Sequence, residues 1–200
     1  MKIYLYRHGE TEHNKAGLIQ GRGIDSNLND KGRAQAAAFF EAYKHIPFDC
    51  LFTSTLKRTC QTAAPFEALG ISVERRTALD EISWGDWEGK SANEQMSNEY
   101  RQLLKSWGEG IYDYSLANGD SALSMQARLQ PFVEELNQLE HQTILICSHG
   151  GTLGFLLPML LGDPLSTMPD YKHYNTGLDI FEYENRQYKM LLQNDRTHLS

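Results

Sequence analysis

Residues 3–9 read IYLYRHG, a short apolar run that ends directly in an arginine, a histidine and a glycine. The run is β-favouring, so it predicts a buried strand over residues 3–6. In open α/β sheets, ligands bind just beyond the carboxyl ends of the strands, where loops carry polar side chains into a crevice. Arg7 and His8 are therefore the first candidates for a functional site.

The same arrangement recurs later in the chain. Residues 143–147 (TILIC) predict the clearest buried strand, and SHGG (residues 148–151) follows before an apolar helix to residue 161. One histidine at a strand end is usually a hydrogen-bonded structural residue, but two of them strengthen a functional interpretation. His149 precedes a helix start, where unpaired N–H groups and the helix dipole favour an anion. The shared ligand that this pattern indicates is a phosphate.

The rest of the chain alternates predicted helices and strands. Helices are predicted over 30–43, 56–69, 93–107 and 121–139, strands over 48–53 and 72–76, and a closing hairpin over 178–183 and 188–192. The alternation predicts an α/β fold, a three-layer α/β/α sandwich with a mostly parallel central sheet and room for one antiparallel edge. Two hundred residues, 40% of them hydrophobic, predict a single domain over 1–200.

A third polar residue follows the second predicted strand. Arg58 lies near the start of the helix after that strand, so it can reach the same crevice. A guanidinium matches phosphate oxygens in bidentate fashion. Taken alone, an arginine on an amphipathic helix is more often a solvated surface residue. The prediction rests on the constellation of Arg7, His8, Arg58 and His149 together.

Composition excludes several other classes of protein. A formal net charge of −7 argues against a nucleic-acid partner, because phosphate backbones are bound by basic surfaces. The N-terminal residues lack the long apolar run of a signal peptide or membrane span, so we expect no membrane association and a cytoplasmic location. Three cysteines without paired spacing predict reduced thiols.

Four motifs together carry a resemblance to a known family. They are LYRHGET (residues 5–11) with a following Asn14, STLKRTCQTA (54–63), DEI (80–82) with Gly85 and WEG (87–89), and SHGG (148–151). In this order they resemble the histidine phosphatase superfamily, also called the phosphoglycerate mutase-like family. The resemblance spans most of the chain, which makes a chance match to all four motifs negligible. It implies the phosphoglycerate mutase-like fold.

The resemblance also implies a role for each matching residue. His8 is expected to be the nucleophile that forms a phosphohistidine, Glu81 the proton donor, and Arg7, Arg58 and His149 the groups that hold the phosphoryl oxygens. Further positions match substrate-binding residues of the family, and these are Asn14, Gln20, Gly21 and Gly150. Gly150 would donate its backbone N–H at the helix start.

Physical chemistry is consistent with these roles. A neutral imidazole attacks phosphorus if one nitrogen is free and the other is held as N–H by a local acceptor. Phosphoryl transfer places charge on the equatorial oxygens, which Arg7, Arg58 and a protonated His149 would stabilise as a metal ion does elsewhere. We therefore expect no metal and no cofactor, and the sequence has no His-Glu-x-x-His pattern to support a metallophosphatase.

Two alternatives remain within the family. A mutase needs a second anion site, yet residues 90–118 offer only Lys90, Arg101 and Lys105, and Gly151 stands where mutases usually carry asparagine. A catalytically silent, ligand-binding member is the other alternative, and the intact motif residues argue against it. The expected partner is a small phosphorylated metabolite, with no prediction for the oligomeric state or the natural ester.

Several residues outside the motifs receive a weaker prediction. Four aromatic residues are candidates for the pocket wall, although core or lid positions are more frequent for such side chains: Trp84, Trp87, Tyr112 and Tyr114. Three histidines are expected to be structural: His13, His173 and His198.

Overall fold

A computed structural model describes all residues 1–200 and contains one six-stranded sheet in the order β3-β2-β4-β1-β5-β6. The strands are β1 (Lys2–Arg7), β2 (Cys50–Thr53), β3 (Val73–Arg75), β4 (Thr143–Ser148), β5 (Leu178–Glu184) and β6 (Gln187–Asp195). The first four are parallel, β5 is antiparallel to β1, and β6 is antiparallel to β5. The mostly parallel sheet with an antiparallel hairpin at one edge is confirmed.

Six helices connect the strands or cover the sheet. They are α1 (Glu12–Lys15), α2 (Asp30–Tyr43), α3 (Lys57–Ala68), α4 (Glu94–Gly108), α5 (Ala122–Gln138) and α6 (Gly150–Leu161). Asn29 caps α2 by accepting a hydrogen bond from the Gly32 amide. Gly162 ends α6 in the left-handed conformation, with φ 75°, which a residue without Cβ adopts at little cost.

Two hydrophobic cores, one on each face of the sheet, produce the three layers. Ile3 and Leu5 of β1 face the larger core, which includes side chains of α4, α5 and α6. Tyr6 faces the smaller core with Phe39 of α2 and Phe66 of α3. Successive residues of β1 thus point to opposite faces, as the period of a strand requires. The predicted α/β/α sandwich is confirmed.

Short elements differ most from the sequence prediction. The helix α1 and the 3-10 turns Thr77–Leu79, Gly85–Trp87, Leu165–Asp170 and Thr197–Leu199 were not predicted. Such segments hold too few residues to show a hydrophobic period. For α1 the cap is a capping box in which Thr11 and Asn14 each bind the other's backbone.

The sheet register brings the predicted site residues together. Arg7 pairs with Ser148 across β1 and β4, and Cys147 pairs with Thr53 across β4 and β2. The carboxyl ends of these three neighbouring parallel strands therefore meet at one edge, where His8, His149 and the start of α3 follow. No helix of the structure has the length and apolarity needed to cross a bilayer.

Candidate active site

A cavity of about 870 Å³ opens beyond the carboxyl ends of β1 and β4. Its wall includes six of the nine predicted site residues, namely Arg7, His8, Asn14, Gln20, Glu81 and Gly150. Arg58, His149 and Gly21 are not part of this wall and lie behind it. No group of three or more His, Cys, Asp or Glu side chains is arranged to hold a metal ion.

His8 is buried, with 1% of its surface exposed. A hydrogen bond to the backbone determines which ring nitrogen carries the proton. Nδ1–H donates to the carbonyl oxygen of Gly9 at 2.7 Å, which leaves the lone pair on Nε2. Burial, with the positive charges of Arg7 and Arg58, holds the pKa of His8 well below its ordinary value. His8 is therefore a neutral imidazole in the tautomer that a nucleophile at Nε2 requires.

Gly9 lets the chain pass close to helix α2. A Cβ at this position would lie 2.5 Å from the carbonyl oxygen of Gly32, so no larger residue fits without displacing backbone. The Gly9 amide donates to the hydroxyl of Thr62 on α3 at 3.0 Å. These contacts fix the carbonyl that orients the His8 ring.

Arg7 presents an unused donor at the cavity. Its Nη1 donates to the carbonyl oxygen of His173 at 2.8 Å, whereas Nε is buried and has no hydrogen-bond partner. A Cβ on Gly150 would lie 3.4 Å from Nε. The N-terminus of α6, with its backbone amides, therefore lies beside this guanidinium. An N–H buried without an acceptor is costly. The guanidinium as a whole lines the cavity and supplies positive charge for an anion there.

Arg58 is fully buried and not the solvated surface residue that its helix position alone suggests. Nη1 donates to the carbonyl oxygen of Ile24 at 2.6 Å and Nε donates to Nδ1 of His149 at 3.0 Å. Burial lowers the pKa of Arg58, and Glu81 opposes this effect. The guanidinium stays charged because its pKa starts far above neutrality.

Gly21 was predicted to contact the substrate, but the structure places it differently. Its carbonyl oxygen accepts from Nη2 of Arg58 at 3.4 Å, and a Cβ here would lie 2.0 Å from Oε1 of Glu88. Gly21 therefore supports Arg58 and packs against a carboxylate behind the cavity wall.

His149 was expected to be protonated, and its surroundings indicate a neutral ring instead. Because Nδ1 accepts from Arg58, the ring proton is on Nε2, which donates to the hydroxyl of Ser54 at 2.7 Å. Burial, followed by the charge of Arg58, holds the pKa of His149 well below its ordinary value. The structure thus contains a neutral His149 whose two nitrogens both bind protein groups, not a protonated one. Its ring centroid is 5.1 Å from that of His8.

Glu81 is buried at the N-terminus of α6. Its Oε1 accepts from the amides of Ile82 and Thr152, both at 2.9 Å, and Oε2 accepts from the amide of Gly151 at 3.2 Å. A Cβ on Gly151 would lie 2.7 Å from Oε1, so the carboxylate occupies the space that a side chain would need. The backbone amides at the N-terminus of α6 therefore bind the Glu81 carboxylate and leave no room for a side chain at position 151.

Three supporting residues were missed at the sequence level. Arg128 of α5 donates to the carbonyl oxygens of Asp80 at 2.6 Å and of Glu81 at 3.3 Å. Thr152 donates its hydroxyl to the Asp80 carbonyl at 2.7 Å. Asn175 donates to the His8 carbonyl at 2.9 Å. Arg128 and Asn175 lie far from their partners in sequence, so no local pattern marks them.

The remaining cavity wall is largely apolar. Of the four aromatic residues predicted as candidates, Trp84 and Trp87 line the cavity, and Tyr112 and Tyr114 do not. Helix α4 adds Met96, Tyr100 and Leu104, which the sequence analysis did not single out.

The three histidines expected to be structural have different surroundings. His173 lines the cavity and binds Arg7 through its carbonyl, while its buried ring lies 3.1 Å from the Asp179 carboxylate. His198 contacts the Thr176 hydroxyl at 3.0 Å. His13 belongs to the short helix α1.

Comparison with known proteins identifies the family. The family model of the histidine phosphatase superfamily (branch 1) matches residues 3–196. The chain belongs to this superfamily. The resemblance inferred from four short motifs is thereby confirmed over nearly the whole chain.

Relatives within the histidine phosphatase superfamily carry names of several phosphatases. The adenosylcobalamin/alpha-ribazole phosphatase of Salmonella typhimurium is 31% identical over 170 residues, covering 84% of this chain and 83% of the relative. Phosphoserine phosphatase 1 of Hydrogenobacter thermophilus is 29% identical over 201 residues, covering 100% and 94%. A solved phosphoserine phosphatase variant from Entamoeba histolytica with phosphoserine has a TM-score of 0.83 and 27% identity, covering 100% and 99%.

Proposed function

We propose that this histidine phosphatase superfamily member is a metal-independent phosphoric monoester hydrolase that acts on small phosphorylated metabolites through a phosphohistidine on His8. The observation that carries the proposal is the tautomer of His8. Its Nδ1–H is bound to the Gly9 carbonyl, which leaves the lone pair on Nε2, as attack on phosphorus requires. The names of the relatives support the same reaction class.

Positive charge for the transferred group comes from two guanidinium groups. Arg7 lines the cavity, and Arg58 lies behind it, held by backbone carbonyls. Fixed charges that need no rearrangement stabilise the equatorial oxygens of the transition state. His149 contributes by holding Arg58 in place, since its Nδ1 accepts from Nε.

In the first half of the reaction, Nε2 of His8 forms a bond to phosphorus while the ester P–O bond breaks. The departing alcohol oxygen takes a proton from Glu81. That proton is placed on Oε2, because Oε1 already accepts two backbone hydrogen bonds at 2.9 Å whereas Oε2 accepts one at 3.2 Å. The products are the free alcohol, phosphohistidine and a Glu81 carboxylate.

In the second half, water attacks the phosphorus and gives one proton to Glu81 as the N–P bond breaks. Inorganic phosphate leaves, and His8 returns to the neutral tautomer with its proton on Nδ1. The same carboxyl group serves first as acid and then as base, so the cycle restores all groups.

A direct test is release of inorganic phosphate from a panel of small phosphomonoesters in EDTA, with isomerised products measured in parallel. We expect phosphate release by the wild-type protein, and a loss of at least about 1000-fold in His8→Ala, as for removal of a covalent nucleophile. A requirement for added metal, or isomerisation of 3-phosphoglycerate without phosphate release, would overturn the proposal.

A further inference from the structure

The cavity is much larger and more apolar than a phosphate requires. Its volume of about 870 Å³ lies in the range of about 300–1,000 Å³ that binds drug-sized ligands. Ten of its 22 lining residues are hydrophobic. Arg7 and His8 lie at the end of β1, on one side of this cavity, so the hydrophobic part of the lining is left for the alcohol portion of the ester.

Helix α4 supplies a continuous apolar stripe to this wall. Met96, Tyr100 and Leu104 line the cavity at a spacing of four residues, which places them on one helix face. Tyr100 also packs edge-on against Trp84, with ring centroids 5.8 Å apart. The stripe and the two aromatic rings form one surface, which we call the apolar wall: Trp84, Trp87, Met96, Tyr100 and Leu104.

One polar atom of the wall is bound within the protein. The indole N–H of Trp87 donates to the Glu99 carboxylate on α4 at 3.2 Å. This bond ties the loop of Trp87 to the helix and leaves the ring to contact a ligand through its apolar atoms.

The apolar wall itself has no charged side chain to pair with an ionic alcohol portion. Apart from Arg7 and Glu81, the charged lining residues are Asp170 and Lys172, which are exposed and of opposite sign. The cations Arg101 and Lys105 of α4 are exposed and do not line the cavity. A second phosphate, or the carboxylate and ammonium of phosphoserine, would lose water here without a buried counter-ion.

We propose that the substrate is a phosphomonoester whose alcohol carries an uncharged aromatic group, with the apolar wall as the specificity determinant. This inference rests on the proposed function, because it places the ester phosphate beside His8. Aromatic rings of the wall favour stacked or edge-on contact with a ring in the ligand.

The test compares primary alkyl esters that differ in the alcohol portion. Phosphate release is measured from 3-phenylpropyl phosphate, ethyl phosphate and phosphoserine, and equilibrium binding of the same esters is measured on His8→Ala by calorimetry. We expect kcat/KM for 3-phenylpropyl phosphate to exceed that for phosphoserine by about 100-fold and that for ethyl phosphate by about tenfold. His8→Ala should bind the esters in the same order.

Variants of α4 separate specificity from folding. Tyr100→Ala should lower kcat/KM for 3-phenylpropyl phosphate about tenfold and change kcat/KM for ethyl phosphate less than about threefold. Tyr100→Phe should have the wild-type kcat/KM for 3-phenylpropyl phosphate. Leu104→Arg should raise kcat/KM for phosphoserine about tenfold. Lys105→Ala, on the exposed face of the helix, is the matched control and should leave all ratios unchanged.

The outcomes separate the two proposals. If phosphoserine or ethyl phosphate is hydrolysed at least as well as the phenyl ester, the substrate class is wrong and the hydrolase stands. If no ester is hydrolysed but His8→Ala still prefers the phenyl ester, the reaction is wrong and the ligand class stands. If no ester is hydrolysed and none binds preferentially, both fail.

Discussion

At the residue scale, the hydrogen bonds made by three side chains decide the chemistry. His8 carries its proton on Nδ1 because the Gly9 carbonyl accepts a hydrogen bond there. His149 carries its proton on Nε2 because the Arg58 guanidinium donates to Nδ1. Glu81 accepts backbone hydrogen bonds on both oxygens. Each group is held by main chain or by a buried charge, so the site is preorganised before an ester binds.

Replacement of Glu81 by glutamine tests its assignment as the acid. Glu81→Gln should lower kcat/KM about 10²- to 10⁴-fold on an alkyl phosphate, whose alkoxide needs a proton. On para-nitrophenyl phosphate, which loses a stable phenolate, the loss in kcat/KM should be below about tenfold, because kcat/KM reports the phosphorylation of His8 and not the later attack of water on the phosphohistidine. Equal losses on both esters would remove Glu81 from this role. Glu94→Gln, exposed at the start of α4, is the control and should leave both rates unchanged.

At the element scale, the start of helix α6 carries two functions. Gly150 lines the cavity beside Arg7, and the next two amides bind the carboxylate of Glu81. The fit is close, because a Cβ on Gly151 would lie 2.5 Å from Cγ2 of Ile82 as well as close to Oε1 of Glu81. Position 151 therefore controls where the Glu81 carboxylate lies.

Gly151→Ala is expected to displace Glu81 and to weaken packing. Overpacking of this kind costs about 1–3 kcal/mol in the free energy of unfolding. Hydrolysis of alkyl phosphates should fall at least about tenfold, since a displaced acid loses its alignment. Gly108→Ala is the matched control, because nothing lies within 4 Å of its Cβ position. Urea unfolding and steady-state kinetics check both variants, and a wild-type rate in Gly151→Ala would contradict the account.

At the scale of the whole molecule, burial of neutral histidines links stability to pH. The pKa values of His8 and His149 are held well below the ordinary value in the folded protein and return to about 6.5 on unfolding. Below pH 6.5 the unfolded chain binds protons that the folded one does not, so stability falls as pH falls.

Urea unfolding between pH 7 and pH 5 measures this linkage. Each histidine should contribute a slope of up to about 1.4 kcal/mol per pH unit below pH 6.5, until the pH reaches its folded pKa. His8→Asn keeps a donor for the Gly9 carbonyl and should remove the contribution of His8. A free energy of unfolding that is constant over this range would show that these rings are not buried as neutral groups.

Sequence reasoning predicted the long elements and the motif residues better than the supporting contacts. The strands before His8 and His149 and the helices α2 to α6 follow from apolar periodicity, and their bounds differ from the structure by a few residues at most. The neutral state of His149 was not predicted, because it depends on Arg58, 91 residues away. The stripe of α4 is visible as a four-residue spacing, but the same spacing is typical of a core-facing helix.

The measurement that tests the central claim most directly is detection of a phosphoryl group on His8 during turnover. Wild-type protein is mixed with 3-phenylpropyl phosphate and, in parallel, with para-nitrophenyl phosphate, quenched in alkali to preserve phosphohistidine, and analysed by peptide mass spectrometry. The account predicts phosphate on the His8 peptide of wild-type protein, accumulating further in Glu81→Gln with the aryl ester, and none in His8→Ala. Turnover with no adduct on His8, or turnover at the wild-type rate in His8→Ala, would contradict it.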